Sequence, residues 1–292
     1  MLGAFVFPHP PLILPEVGRG GEKKIQKTVD ACRAAARSIA ALAPDTLIVA
    51  SPHAALYADY FHISPGARYA GDMGRFRARE VRVEGRYDEE LARAIGEKAR
   101  ASGIPAGFEG EREKALDHAT LLPLHFVNEV YADYRLVRVG LSGLSPLTQY
   151  RFGSCIENAA QALGRRAVFI ASGDLSHRLL AQGPYGFAPA GLVFDERVTR
   201  ALGAGDFLSL LEIDADMAEA AGECGLRAFQ IMAGALDGRA VESELRSYEG
   251  PYGVGYAVAA FKPGEAAPNR DFGDQYEARR RAEAERARAG ED

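Results

Sequence analysis

The stretch FVFPHPPLILPEVG, Phe5 to Gly18, begins as a short apolar run and ends that run at a histidine set among prolines. An apolar run of this length, closed by turn residues, reads as a strand buried on both faces. Pro8, Pro10 and Pro11 fix φ, donate no backbone hydrogen bond and push the residues before them to extended conformations. The chain therefore leaves the strand and holds His9 in a rigid, non-helical corner. The same arrangement recurs downstream. DTLIVA (Asp45–Ala50) runs into SPH and His53, and AVFIA (Ala167–Ala171) runs into SGDLSH and His177.

Patterns at helical spacing lie between these runs. Glu22–Leu42 places Ile25, Val29, Cys32, Ala36 and Ile39 on one face, Asp88–Ala101 repeats the pattern, and Ser145-Pro146 forms an N-cap and N1 pair. Further helices are expected over Val193–Leu202, Phe207–Leu211 and Leu226–Leu236. Glu80–Val83 and Leu136–Leu141 read as extended, and Val241–Tyr248 with Val254–Phe261 as antiparallel edge strands around the turn EGPYG. Alternating strands and helices predict an α/β fold: a single domain with a mainly parallel, doubly wound sheet, antiparallel edge strands and helices on both faces. From residue 263 the chain is nearly devoid of aliphatic residues and dense in both charge signs. Residues 1–262 are thus expected to form the folded domain, and 263–292 a charged tail or linker, helical at most and loosely packed.

The 292 residues are 47% hydrophobic and 26% charged, as in ordinary soluble globular proteins. A net charge of −5 argues against nucleic acid as the main partner. No apolar run approaches the roughly 18 residues of a membrane span, and no signal-peptide pattern is present. Three cysteines without a CxxC suggest a reduced, cytoplasmic protein.

In an open parallel sheet, ligands bind beyond the carboxyl ends of the strands. His9, His53 and His177 follow three such ends and can converge on one crevice. The stiff loops around His9 and His53 suit metal ligands, whose imidazoles must be pre-aimed and neutral. Of the six histidines, His62 and His125 read as structural, while His118 sits in LDHATLLPL beside Asp117. Glu223, in GECGL, fits by position alone a helix-start residue facing the dipole. With two histidines it also completes a set that leaves coordination positions open, as in non-haem iron(II) oxygenases. A serine triad drawn from Ser172, Asp174, Ser176 and His177 is not expected, since no GxSxG elbow exists.

Taken in order, FPHPPLILPEVG, SPHAALYADYF, LDHATLLPLHF, ASGDLSH and GECGLRAFQIMAGAL resemble the class III extradiol ring-cleavage dioxygenases. More specifically, residues 1–262 are similar to the LigB-like catalytic domain of proteins of the AmmeMemoRadiSam system, related to the Memo family. The resemblance implies iron(II) held by His9, His53 and Glu223, His177 as acid/base, and His118 in contact with substrate or oxygen. The implied substrates are a small aromatic diol and O2. Zinc or another divalent metal is the alternative, as is a Memo-like metal-binding component without turnover of its own. The family's DHG is DHA here, and Cys224 beside Glu223 is similar to a Memo-type site in which a cysteine joins histidines. A homo-oligomer and a partner domain beyond the tail both stay open.

Overall fold

The computed structural model describes residues 1–111 and 115–289. Its strands are β1 (Gly3–Phe7), β2 (Thr46–Ser51), β3 (Phe61–His62), β4 (Arg68–Met73), β5 (Ala78–Tyr87), β6 (Ala106–Gly107), β7 (Arg135–Gly140), β8 (Ala167–Ser172), β9 (Arg239–Glu249) and β10 (Tyr256–Ala266). Its helices are α1 (Pro15–Gly18), α2 (Gln26–Leu42), α3 (Glu89–Ala101), α4 (His118–Asn128), α5 (Pro146–Ala162), α6 (Pro189–Ala204), α7 (Phe207–Leu211), α8 (Ala215–Ala221), α9 (Leu226–Ala235) and α10 (Phe272–Ala289).

Eight strands form one sheet in the order β4-β5-β7-β2-β8-β1-β10-β9. From β5 to β1 every neighbouring pair is parallel, and antiparallel strands close both ends. The parallel strands are buried along their length because helices cover both faces. Their side chains divide with period two. Val6, Ile48, Ala50 and Phe169 join the core beneath α3, α5 and α9, whereas Phe5, Phe7, Val49 and Ile170 join the core beneath α2 and α4. The expected α/β architecture is therefore the observed one. Because β1, β2 and β8 run in register (Val6 beside Ala171, Ala50 beside Ala171), their carboxyl ends emerge along one edge.

Differences from the sequence reading have local causes. The helix expected over Glu22–Leu42 begins with a 3-10 turn, Gly21–Ile25, before α2 proper, although Ile25, Val29, Cys32, Ala36 and Ile39 are all buried as expected. The short strand expected around His62 is β3, whereas the short helix α8 and the strands β4 and β6 have too little apolar periodicity to be read from sequence. Helix α4 starts at His118, seven residues before the helical stretch expected from His125, and contains Pro123 in its interior.

The expected boundary at 262/263 falls inside β10, which pairs with β9 as far as Ala266. Beyond it, Phe272 is 8% exposed, packs on Phe207 and donates its N–H to the Tyr150 hydroxyl at 3.2 Å. The rest of α10 is held by surface ion pairs such as Arg279–Glu212 and Arg151–Glu277, each worth little. Phe272→Ala should lower the unfolding free energy by about 3 kcal/mol in urea titrations. A chain ending at residue 281 should lose less than about 1 kcal/mol.

Candidate metal centre

The site is assembled at the edge where β1, β2 and β8 end. His9 lies two residues past β1 and His53 two past β2, while His118 is the first helical residue of α4. The His9 and His53 rings are 5.0 Å apart, His9 and His118 5.4 Å, and His53 and His118 4.4 Å between centroids. One nitrogen from each lies within 4.8 Å of the other two. His9 is buried, His118 half-buried and His53 exposed, so the cluster opens to solvent on the His53 side.

Backbone chemistry sets the tautomer of His9. Pro123 has no N–H to offer the carbonyl four residues back, which leaves Ala119 O without its normal helical donor. The Ser172 hydroxyl, at the end of β8, donates to that carbonyl at 2.6 Å. With its proton so used, Ser172 Oγ can only accept from His9 Nδ1, 3.0 Å away. His9 Nδ1 therefore carries the proton and Nε2 presents a lone pair, the state a metal requires. Burial, reinforced by His53, pushes His9 down to about 3; burial, with His9 and His53, does the same to His118. Both rings are neutral throughout the physiological range.

Asp117 relates the other two histidines. Its carboxylate caps α4 through Thr120 N–H at 2.9 Å and accepts from Ser51 Oγ at 2.6 Å, and Ser51 Oγ in turn accepts from His53 N–H at 3.2 Å. One carboxylate thus joins the loop carrying His53 to the helix start carrying His118. Burial pushes the Asp117 carboxyl up, but the hydrogen bonds from Ser51 and Thr120 and the Arg138 charge outweigh this and hold it below the ordinary range. Three imidazoles, two of them held neutral by burial and that of His9 oriented by Ser172, suit a borderline divalent ion such as iron(II) or zinc.

On the far side of His9, Asp174 accepts from His9 N–H at 2.8 Å and brings Oδ2 to 4.0 Å from Nε2. Cys224 Sγ lies 3.6 Å from the same Nε2 and accepts from Asp174 N–H at 3.3 Å. This contact needs glycines: a Cβ on Gly173 would overlap Gly225, so the GDLSH and GECG loops meet backbone to backbone. Glu223, the expected third ligand, is not in the convergent set; its Oε2 accepts from Leu226 N–H at 2.6 Å, at the start of α9. His118 stands in the set instead. Burial pushes the Glu223 carboxyl up to about 7.

His177, the expected acid/base, packs its ring against Tyr185 at 5.1 Å and lies near enough to His9 and Asp174 to bias their protonation. Its Nδ1 is buried and has no hydrogen-bond partner among the described residues. Ser172 bonds to His9 rather than His177, so no serine triad forms. His62 is buried in β3, and His125 lies within α4 at 3.9 Å from Glu129, both in structural settings. Sequence reasoning missed the orienting roles of Ser51, Ser172 and Pro123. Their signal was position: each serine closes a strand that leads to a histidine.

Ser172→Ala should weaken metal binding about 10- to 100-fold, the usual cost of losing an orienting partner, in a chelator-competition titration. Glu223→Gln keeps an acceptor for Leu226 and removes a raised carboxyl. A group whose folded pKa lies above its unfolded value (about 7 against 4.5) withdraws stability as pH rises through that interval. In chelated protein, the melting temperature of Glu223→Gln relative to the parent should therefore rise between pH 5 and pH 8. A constant difference would show that the carboxyl is not buried as described.

Residues 3–259 match the model of a family described as the catalytic LigB subunit of aromatic ring-opening dioxygenase. The chain is 40% identical over 263 residues to protein CA_C1420 of Clostridium acetobutylicum, an alignment that covers 88% of this chain and 56% of that protein. It thus spans about half the length of that curated relative. The crystal structure of the uncharacterized protein JW3007 from Escherichia coli K12 superposes with a TM-score of 0.57 at 15% identity, covering 89% of this chain and 99% of that one, a likeness of fold. With its fold, its histidine cluster and this match in hand, the chain belongs to the LigB family of aromatic ring-opening dioxygenase catalytic subunits.

Proposed function

We propose that this chain is a metal-dependent, extradiol-type dioxygenase that opens an aromatic diol with O2, iron(II) being its metal. The observation that carries the reading is the convergence of His9, His53 and His118, with Nε2 of His9 freed by Ser172, in a member of this family. Those three residues would hold the ion. When bound, iron(II) supplies a centre through which a chelated diol passes electron density to dioxygen.

The protein's own part is to bind, orient and move a proton. His9 and His118 are neutral before any ligand arrives, so no proton need leave them on metal binding. The exposed edge of His53 is the side from which a diol reaches the ion. His177, whose Nδ1 has no partner among the described residues, takes the proton of the diol hydroxyl and returns it to the product. Asp174 and Cys224, packed against Nε2 of His9, close the other side.

One observation favours a second reading. Cys224 Sγ lies as near His9 as a ligand-forming thiol would, and the curated relative is nearly twice as long as the aligned region. Both suit a metal-binding component of a larger assembly that does no ring cleavage itself. Metal analysis of anaerobically purified protein, followed by oxygen uptake with a panel of catechols, separates the two. Oxygen consumption with one equivalent of iron supports the enzyme, and full metal loading without uptake supports the component. His177→Gln should retain its metal and lose turnover about 10²- to 10⁴-fold. Metal loss in that variant would make His177 a ligand.

A further inference from the structure

A cavity of about 1320 Å³ adjoins the histidine cluster, with His53 and His118 in its wall. It exceeds the roughly 300–1,000 Å³ typical of small-molecule sites, and is far larger than a single ring requires. The β4–β5 hairpin supplies much of the lining. Tyr69, Met73, Val81 and Val83 turn into the core, so the alternate residues Arg68, Asp72, Arg82 and Glu84 turn outward into the cavity. Between the strands, the 3-10 turn Gly74–Phe76 brings Arg75 and Phe76 beside His118. Phe76 meets the His118 ring edge-on at 5.2 Å, and the Arg75 charge acts on the His118 imidazole.

The cations divide into two kinds. Arg82 is paired with Glu84 at 2.7 Å, and Arg138 is held by Ser64 Oγ at 2.6 Å and by Asp117 at 3.5 Å. Arg68, Arg75 and Arg79 form no ion pair among the described residues, although they line the same space. Of the other acids in the wall, Asp72 spends one oxygen on Gly74 N–H at 2.8 Å, and Glu111 also lies there. The wall sets Arg68, Arg75, Arg79, Arg82 and Arg138 against Asp72, Glu84, Glu111 and Asp117, a small local reversal of sign on a protein with a net charge of −5. Guanidinium forks match phosphate and carboxylate oxygens in geometry as well as charge.

Resting on the metal-centre reading above, we infer that the cavity takes an elongated ligand with a multiply anionic tail, a phosphate or a cluster of carboxylates. The tail lies against Arg68, Arg75 and Arg79, while the other end stacks by Phe76 and reaches His53 and His118. A neutral catechol fills only the inner part of this space.

Anaerobic calorimetry on the iron-loaded protein tests this with three diols that differ in one substituent: 4-methylcatechol, 3,4-dihydroxybenzoate and 3,4-dihydroxybenzylphosphonate. Affinity should rise at least tenfold from the neutral to the phosphonate probe, with the monoanion between them, and the rise should shrink with added salt. The double variant Arg75→Gln, Arg79→Gln should flatten the series, circular dichroism and metal content serving as checks on its folding. Equal affinity for the three probes, or a rise that survives in the double variant, overturns the inference. A benzoate as tight as the phosphonate overturns its multiply anionic part. Inorganic pyrophosphate titrated into chelated protein separates this inference from the reading beneath it. Arginine-dependent pyrophosphate binding, together with no oxygen uptake from any diol, keeps the anion site and discards the dioxygenase. Oxygen uptake that ignores probe charge does the reverse.

Discussion

The hydrogen bond from the Ser172 hydroxyl to the carbonyl of Ala119 governs the candidate centre. A hydroxyl carries one proton, and this one is committed to a carbonyl that Pro123 has left without its helical donor. His9 must then donate through Nδ1 and leave Nε2 unprotonated, facing Cys224 Sγ at 3.6 Å. The bond also ties the end of β8 to the first turn of α4, and through His9 to the end of β1. Three elements distant in sequence are locked into one protonation state by a single rotor.

The rest of the centre depends on parallel strands ending together. Right-handed crossovers place helices between them, so His9 and Asp174, which are 165 positions apart, meet through one 2.8 Å bond. Small residues make the meeting close enough. Gly173 and Gly225 bring the two loops into backbone contact, and Cys224 and Asp174 are thereby fixed against His9. Across the cluster, Asp117 performs the corresponding service for His53 and His118.

Much of the fold was legible because its signals are local. Buried runs closed by proline, glycine or serine mark β1, β2 and β8, and the histidines that follow two of them, His9 and His53, lie in the cluster. The choice of third member was not legible. Pro123 breaks the apolar pattern of LLPL, so the helical stretch is expected only from His125, whereas α4 begins at His118. A proline in a helix interior usually ends the helix, and here tertiary packing overrides that tendency. Glu223 carried two meanings in sequence, and in the fold its Oε2 accepts from Leu226 N–H, outside the convergent histidine set. The arginines of β4 and β5 were silent for a related reason: on a strand they look like solvated residues until the cavity is seen. Phe272 was isolated among charged residues, and its burial depends on Phe207 and Tyr150, neither of them near it in sequence.

Pro123 also sets two kinds of fitness against each other. A proline inside a helix costs about 3 kcal/mol relative to alanine, so a search for heat-resistant variants would be drawn to Pro123→Ala. The new N–H would then compete for Ala119 O, the Ser172 hydroxyl would be released to rotate, and His9 could exchange tautomers. The chain would gain robustness as its histidine lost definition. Selection acting on melting temperature alone would thus erase a feature that selection acting on chemistry preserves.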